Sequence, residues 1–133
     1  MDIAIDFDGT CVTHEYPNIG NDIGAASVLR QLVKSGHRLI LYTMRSGKEL
    51  EAARDWFSDE NIPLYGCQYN PTQKDWTTSN KCYAQLYIDD AALGCPLKYP
   101  AGQRPYVDWN EVLDLLINKY GLIKPFVSYD KAK

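Results

Sequence analysis

The stretch Met1-Asp2-Ile3-Ala4-Ile5-Asp6-Phe7-Asp8-Gly9-Thr10 opens the chain and carries its strongest structural signal. The apolar run from Ile3 to Ile5 is typical of a strand buried on both faces. Asp6 and Asp8 follow this run directly, and the glycine after them permits a tight turn. The stretch therefore predicts a buried strand whose carboxyl end presents two acids separated by one residue.

Beyond this stretch, predicted strands alternate with predicted helices. The signals are a helical apolar stripe over 22–35, a strand over 39–42, a capping box at 46–49 that begins a helix, a short strand within 63–66, a loop over 67–80, a strand over 86–88, an irregular segment over 94–105 and a second capping box at 108–111. This alternation predicts an α/β fold: a three-layer, Rossmann-like parallel sheet with helices on both faces and no separate cap domain. We expect one domain over residues 1–123 and a C-terminal tail over 124–133.

Composition narrows the classes of function. The chain has 133 residues and a formal net charge of -3, which disfavours nucleic acid as a partner because such surfaces need a basic face. No apolar run approaches the roughly 20 residues that cross a bilayer, and the first residues do not resemble a signal peptide. We therefore expect a cytoplasmic protein without a membrane partner. The four cysteines form no Cys-x-x-Cys pair, so we expect reduced thiols.

Acids and a hydroxyl follow three of the predicted strands. Because ligands bind outside the carboxyl ends of parallel strands, Asp6, Thr43 and Asp89 are expected to lie close together. Asp6, Asp8 and Asp89 are candidate metal ligands, since a few carboxylate oxygens suit Mg²⁺. Asp90 is expected to bind metal-held water or a neighbouring basic group. Taken alone, each acidic pair is equally consistent with a solvated turn.

Groups suited to phosphoryl oxygens lie near the same strand ends. The candidate phosphate-binding residues are Gly9, Thr10, Thr43 and Met44. Lys81 precedes Asp89 by eight residues and would offset the charge of acids and phosphate, with Lys74 as the competing candidate. Arg45 and His14 are candidate substrate contacts, although both residue types are also common on solvated surfaces.

At these residues the sequence resembles the haloacid dehalogenase-like superfamily of phosphohydrolases, over roughly residues 1–95. The segment 6–10 resembles the first motif of that superfamily, Thr43 the second, Lys81 the third and the segment 87–90 the fourth. The resemblance implies that Asp6 is a nucleophile that forms an aspartyl-phosphate and that Asp8 is the general acid and base. It also implies that Asp6, the backbone carbonyl of Asp8, and Asp89 hold Mg²⁺, while Thr43 and Lys81 bind the phosphoryl group.

The function implied by the resemblance is a magnesium-dependent phosphomonoester hydrolase acting on a small phosphorylated metabolite such as a sugar phosphate. No segment is long enough for a cap domain, which implies an open site, suited to a large substrate or covered by a neighbouring subunit. Similar short members usually carry an arginine after the acidic pair, but Ala91-Ala92 stand here. Two alternatives remain: a nucleic-acid end phosphatase, and a phosphate-binding domain without catalysis.

Overall fold

The structure is a computed structural model that describes residues 1–125, so the expected tail over 124–133 lies almost wholly outside the described residues. Its elements in chain order are β1 (Asp2–Ile5), α1 (Ala25–Lys34), β2 (Arg38–Leu41), α2 (Gly47–Asp59), β3 (Gly66–Cys67), β4 (Leu86–Ile88), β5 (Leu97–Lys98), β6 (Tyr106–Val107) and α3 (Trp109–Asn118). A 3-10 helix over Gln73–Asp75 lies between β3 and β4. None of the helices in this part of the chain has the length and apolar character to cross a bilayer.

Strands β1 to β4 form one parallel sheet in the order β3-β2-β1-β4. Strand β1 is central, and Ile5 at its end pairs with Leu41 of β2 and with Ile88 of β4. The carboxyl ends of these strands therefore lie side by side at one edge of the sheet. The predicted α/β, Rossmann-like fold is confirmed, and the order of strands brings the predicted strand-end residues to a common edge.

The two faces of the sheet are covered differently. Ile3 and Ile5 face the main hydrophobic core, which also contains the buried apolar residues of α1, α2 and α3. Ala4 faces the other way and packs in a smaller cluster with Cys82. All three α-helices thus pack against one face, while the segment 69–84 covers the other. The sequence predicts helices on both faces. Among the described residues, the helix on the second face is a 3-10 helix of three residues.

The predicted helix starts are only partly realised. The Asp22 carboxylate accepts three backbone N–H groups at the start of α1. At α3 the predicted capping box forms in part: the Asp108 carboxylate accepts two backbone N–H groups, while the Asp108 N–H donates to the Pro96 carbonyl rather than to Glu111. At α2 the predicted capping box does not form, since the Ser46 side chain makes no capping hydrogen bond. The reason is local: Gly47, the first helical residue, has φ of 55°, so the chain enters this helix with a different backbone geometry.

The segment 94–105, predicted to be irregular, contains strand β5, which forms an antiparallel hairpin with β6 directly after the segment. The hairpin is attached to the opening motif, because the Val107 N–H donates to the Gly9 carbonyl at 3.0 Å. The Trp109 indole N–H also donates to the Thr10 carbonyl, at 2.6 Å. Each strand has two residues, too few for an alternating pattern, so the prolines and glycines around them dominated the prediction.

Removing the indole N–H of Trp109 should weaken the attachment of α3 to the opening motif. We expect Trp109→Phe to cost about 1–3 kcal/mol more than area loss alone, because the buried Thr10 carbonyl loses its donor. Trp56→Phe is the matched control, since Trp56 packs edge-on against Phe7 and Phe57 and its indole makes no hydrogen bond within residues 1–125. Urea unfolding measures both variants, and equal losses would contradict the prediction.

Candidate functional site

A cavity of about 650 Å³ lies at the carboxyl edge of the sheet. Its lining combines four acids with two arginines, one histidine and four uncharged residues. The lining residues are Asp6, Asp8, His14, Tyr16, Thr43, Met44, Arg45, Asp89, Asp90, Ala91 and Arg104. Most of the residues predicted for the site are therefore brought together.

Three of the four acids form a compact cluster. Carboxylate oxygens of Asp6, Asp89 and Asp90 all lie within 4.8 Å of one another. Such a group of hard oxygen ligands suits Mg²⁺, so the residues present fit the ion implied by the sequence. The Asp90 carboxylate, predicted to act outside the metal's own ligands, lies within the cluster. The Asp8 carboxylate does not belong to it, which leaves only the predicted carbonyl contact for that residue.

Burial and mutual repulsion perturb the ionisation of this cluster. Burial raises the pKa of Asp6 to about 8; the charges of Asp89 and Asp90 raise it too, while the Thr10 hydroxyl opposes the shift. Burial also raises the pKa of Asp89, with Asp90 adding to the effect. Protons therefore neutralise part of the cluster when no cation is present. A divalent cation would displace those protons and favour the ionised carboxylates.

Thr10 and Gly9 are occupied by internal hydrogen bonds. Thr10 is fully buried, its hydroxyl donates to Asp6 Oδ2 at 2.7 Å, and it accepts the Asp90 N–H at 3.0 Å. The backbone N–H groups of Gly9 and Thr10 donate to the carbonyls of Val12 and Phe7. These polar groups hold the acids and the turn in place, and the phosphate contacts of Gly9 and Thr10 stay a prediction.

His14 lies over Gly9 and joins the acids to the hairpin. Its Nε2 atom is 3.2 Å from Asp90 Oδ2 and 3.1 Å from the Pro105 carbonyl oxygen. A side chain on Gly9 would collide with the His14 ring, and the φ of 78° at Gly9 also favours glycine. The histidine side chain is only 12% exposed, so it forms part of the cavity wall rather than a solvated surface.

Arg45 is fully used within the protein. Its Nε and one terminal nitrogen donate to the two Asp8 oxygens at 2.8 and 2.7 Å. Its remaining donors reach the carbonyls of Pro17, Asn18 and Glu49. These contacts use all five N–H groups of a guanidinium. In this structure Arg45 holds Asp8 and the loop at 17–18, and its predicted substrate contact stays a prediction.

The turn after β2 keeps free donors at the cavity. The Thr43 hydroxyl accepts the Arg45 N–H at 3.1 Å, so its own O–H proton is left to donate to a ligand. The N–H of Met44 has no acceptor within residues 1–125, and Met44 is 97% exposed. This placement agrees with the predicted phosphate contacts of Thr43 and Met44.

Gln68 fixes this turn and was missed by the sequence analysis. Its side-chain oxygen accepts the Thr43 N–H at 2.9 Å, and its side-chain nitrogen donates to the carbonyls of Thr43 and Arg45. The residue lies in a loop and has a φ of 72°. The Gln68 amide pairs with the backbone N–H and carbonyl of Thr43, 25 residues earlier, as a neighbouring strand would. No local pattern in the sequence predicts such a contact.

Neither predicted lysine lines the cavity. The Lys81 ammonium lies 5.6 Å from the centroid of the Tyr87 ring, and the Lys81 carbonyl accepts from Gln73. The segment before β4 crosses the second face of the sheet, where Cys82, the residue after Lys81, packs against Ala4. Arg104, from the loop between β5 and β6, lines the cavity instead. Sequence patterns gave no signal for Arg104 beyond a basic residue among prolines and glycines.

Metal-free protein should lose stability as pH rises. The pKa of Asp6 is raised in the folded state to about 8 from the ordinary value of 3.8, so the folded protein binds more protons than the unfolded chain between these values. Stability is therefore expected to fall from pH 5 to pH 8 in EDTA, and Asp6→Asn should reduce the fall by about 1 kcal/mol or more. Urea unfolding at both pH values measures it, with the exposed Asp55→Asn as control. An unchanged pH dependence in Asp6→Asn contradicts the assignment.

The comparisons with known proteins add one solved structure. No protein-family model matches the chain, and no curated protein matches it. A solved structure of a conserved protein from Bacteroides thetaiotaomicron is similar, with 35% sequence identity and a TM-score of 0.74. The similarity covers 90% of this chain and 91% of the Bacteroides chain. With this identity over nearly the whole of both chains, the protein belongs to the same family as that conserved Bacteroides protein.

Proposed function

We propose that this protein is a magnesium-dependent phosphomonoester hydrolase of the haloacid dehalogenase-like type. The observation that carries the proposal is the cluster of Asp6, Asp89 and Asp90 oxygens within 4.8 Å, at a sheet edge that also offers the Thr43 hydroxyl. Carboxylates and a hydroxyl donor around one cavity suit the binding of a cation together with a phosphate ester.

Mg²⁺ would be held by Asp6, Asp89 and the backbone carbonyl of Asp8. That carbonyl accepts no hydrogen bond from the described residues 1–125, which leaves it available as a ligand. Asp90 lies close enough to take part directly or through water. When bound, Mg²⁺ supplies positive charge to the carboxylates and to the phosphoryl oxygens.

In the first chemical step, Asp6 acts as the nucleophile. Its Oδ2 accepts from Thr10, which leaves Oδ1 to attack phosphorus. A bond forms between Oδ1 and phosphorus as the ester P–O bond breaks, and the leaving oxygen takes a proton from Asp8. In the second step a water gives a proton to Asp8 and attacks the same phosphorus as the bond between Asp6 Oδ1 and phosphorus breaks. Inorganic phosphate leaves, and both Asp6 and Asp8 return to their starting state.

The pair with Arg45 shapes what Asp8 can do. Two hydrogen bonds fix the plane of the Asp8 carboxylate, while each oxygen keeps a second acceptor site and the side chain is 20% exposed at the cavity. Arg45 therefore holds the Asp8 carboxylate in one orientation at the cavity, where it can exchange a proton with the leaving oxygen or with water.

The size and charge of the site support a small substrate. A cavity of about 650 Å³ falls within the range of small-molecule sites. Four acids at its wall and a net charge of -3 disfavour a long polyanion such as nucleic acid. A sugar phosphate or a similar phosphorylated metabolite is the substrate class that we propose.

Phosphate release from a panel of sugar, nucleotide and aryl phosphates tests the proposal. We expect turnover with Mg²⁺, none in EDTA, and a loss of about 1,000-fold or more in kcat for Asp6→Asn, because the amide cannot form the covalent intermediate. Asp55→Asn, on the exposed side of α2, should retain full activity. Turnover that persists in Asp6→Asn would remove the nucleophile assignment.

The role of Asp8 predicts a dependence on the leaving group. Asp8→Asn should reduce the first step by about 100-fold for an alkyl phosphate, whose leaving oxygen needs a proton, and by less for p-nitrophenyl phosphate. Single-turnover kinetics with the two esters measure the first step separately. Equal losses for both esters would argue that Asp8 acts only through folding or metal binding.

A further inference from the structure

We propose that Arg104 binds the phosphoryl group of the substrate in this protein and offsets its negative charge. The sequence resemblance implies this role for Lys81. This inference rests on the proposed function. It assigns a substrate contact to the loop between β5 and β6, a part of the chain outside all four of the motifs described above.

The charges of the cavity create the need for a further cation. Of its four acids, Asp8 is neutralised by Arg45, so three carboxylates remain. A bound Mg²⁺ offsets two of these charges, and a phosphate dianion then adds two more. The second arginine of the lining, Arg104, would reduce this excess of negative charge when the phosphate is bound.

Arg104 is available in a way that Arg45 is not. The described part of the chain, residues 1–125, contains no hydrogen bond or ion pair to the Arg104 guanidinium, and the residue is exposed at the cavity wall. Every donor of Arg45, by contrast, has a partner within the protein. A guanidinium with free donors matches two phosphoryl oxygens in a forked pair.

The backbone next to Arg104 is bonded to the loop that follows β1, which contains Gly9 and His14. The carbonyl of Pro105, the following residue, lies 3.1 Å from His14 Nε2, and His14 in turn contacts Asp90. Two residues further on, the Val107 N–H donates to the Gly9 carbonyl. Arg104 therefore lies directly before a backbone segment that hydrogen bonds hold in place beside the cavity.

Lys81 is the rival for this role, and its surroundings argue against it. Its ammonium lies against the Tyr87 ring, and Tyr87 pairs with Ala4, whose side chain packs in the cluster of the second face. Neither Lys81 nor Lys74 lines the cavity.

Because the contact proposed for Arg104 is with the phosphoryl group, it should matter for every phosphate monoester, whatever the leaving group.

The experiment compares Arg104→Met, Arg104→Lys, Lys81→Met and the control Lys98→Met, on the same hairpin but outside the cavity lining. Calorimetry measures the binding of inorganic phosphate with Mg²⁺, and p-nitrophenyl phosphate measures kcat/KM. We expect Arg104→Met to weaken phosphate binding and kcat/KM by about 10- to 100-fold, with Arg104→Lys intermediate. Lys98→Met should match wild type, and thermal unfolding should be unchanged by Arg104→Met, since this exposed side chain has no partner in the described chain.

The outcomes separate this inference from the proposed function. A loss of phosphate binding in Arg104→Met supports the inference even if no ester is turned over, in which case only the proposed hydrolase activity fails. Normal kinetics and phosphate binding in Arg104→Met, or a loss confined to Lys81→Met, overturn the inference while leaving the hydrolase activity in place. A loss limited to esters with a second anionic group also overturns it, because the contact would then not be with the phosphoryl group.

Discussion

The half-buried carboxylate of Asp6 is the group around which the carboxyl edge of this protein is organised. It follows the central strand β1, and Asp89 and Asp90 follow the neighbouring strand β4, so the parallel sheet forces three like charges together. Such an arrangement costs free energy unless protons or a cation neutralise it. Thr10 offsets part of the cost, because its hydroxyl donates to Asp6 and accepts from the Asp90 backbone. Thr10 thus holds the acids in place, but it does not balance the negative charge of Asp6, Asp89 and Asp90.

Asp6 and Asp8, separated by one residue, have different surroundings. Asp6 has no basic partner among residues 1–125, and its pKa is raised by burial, whereas Asp8 is held by a buried arginine. Adjacent positions in a strand-like segment point in opposite directions, but positions two apart would face alike in a regular strand. Strand β1 ends at Ile5, before both acids, so Asp6 and Asp8 are not held to the same face, and Asp8 contacts Arg45. Because one acid is left to a cation and the other is paired with arginine, the two are suited to different chemical tasks.

Sequence reasoning succeeded where a single rule links residue order to position in space. Buried apolar runs located β1, β2 and β4, and the rule that parallel strands share their carboxyl edge then placed Asp6, Thr43 and Asp89 together. It failed where a side chain's partner lies far away in the sequence. The bonds from Arg45 to Asp8 span 37 residues, and the approach of Pro105 to His14 spans 91. Local patterns carry no information on such pairs, so the sequence predicts neither the bonds from Arg45 to Asp8 nor the hairpin of β5 and β6.

The hairpin also changes what the absence of a cap domain means. A short chain of this type is expected to have an exposed site that a neighbouring subunit or a large substrate must cover. Here the loop between β5 and β6 brings Arg104 to the cavity wall, and His14 links that loop to Asp90. One wall of the site is therefore supplied by the same chain, after the last of the motif-bearing strands. For the hydrolase activity that we propose, we therefore expect the sequence of this hairpin, rather than an inserted domain, to influence which phosphate ester is accepted.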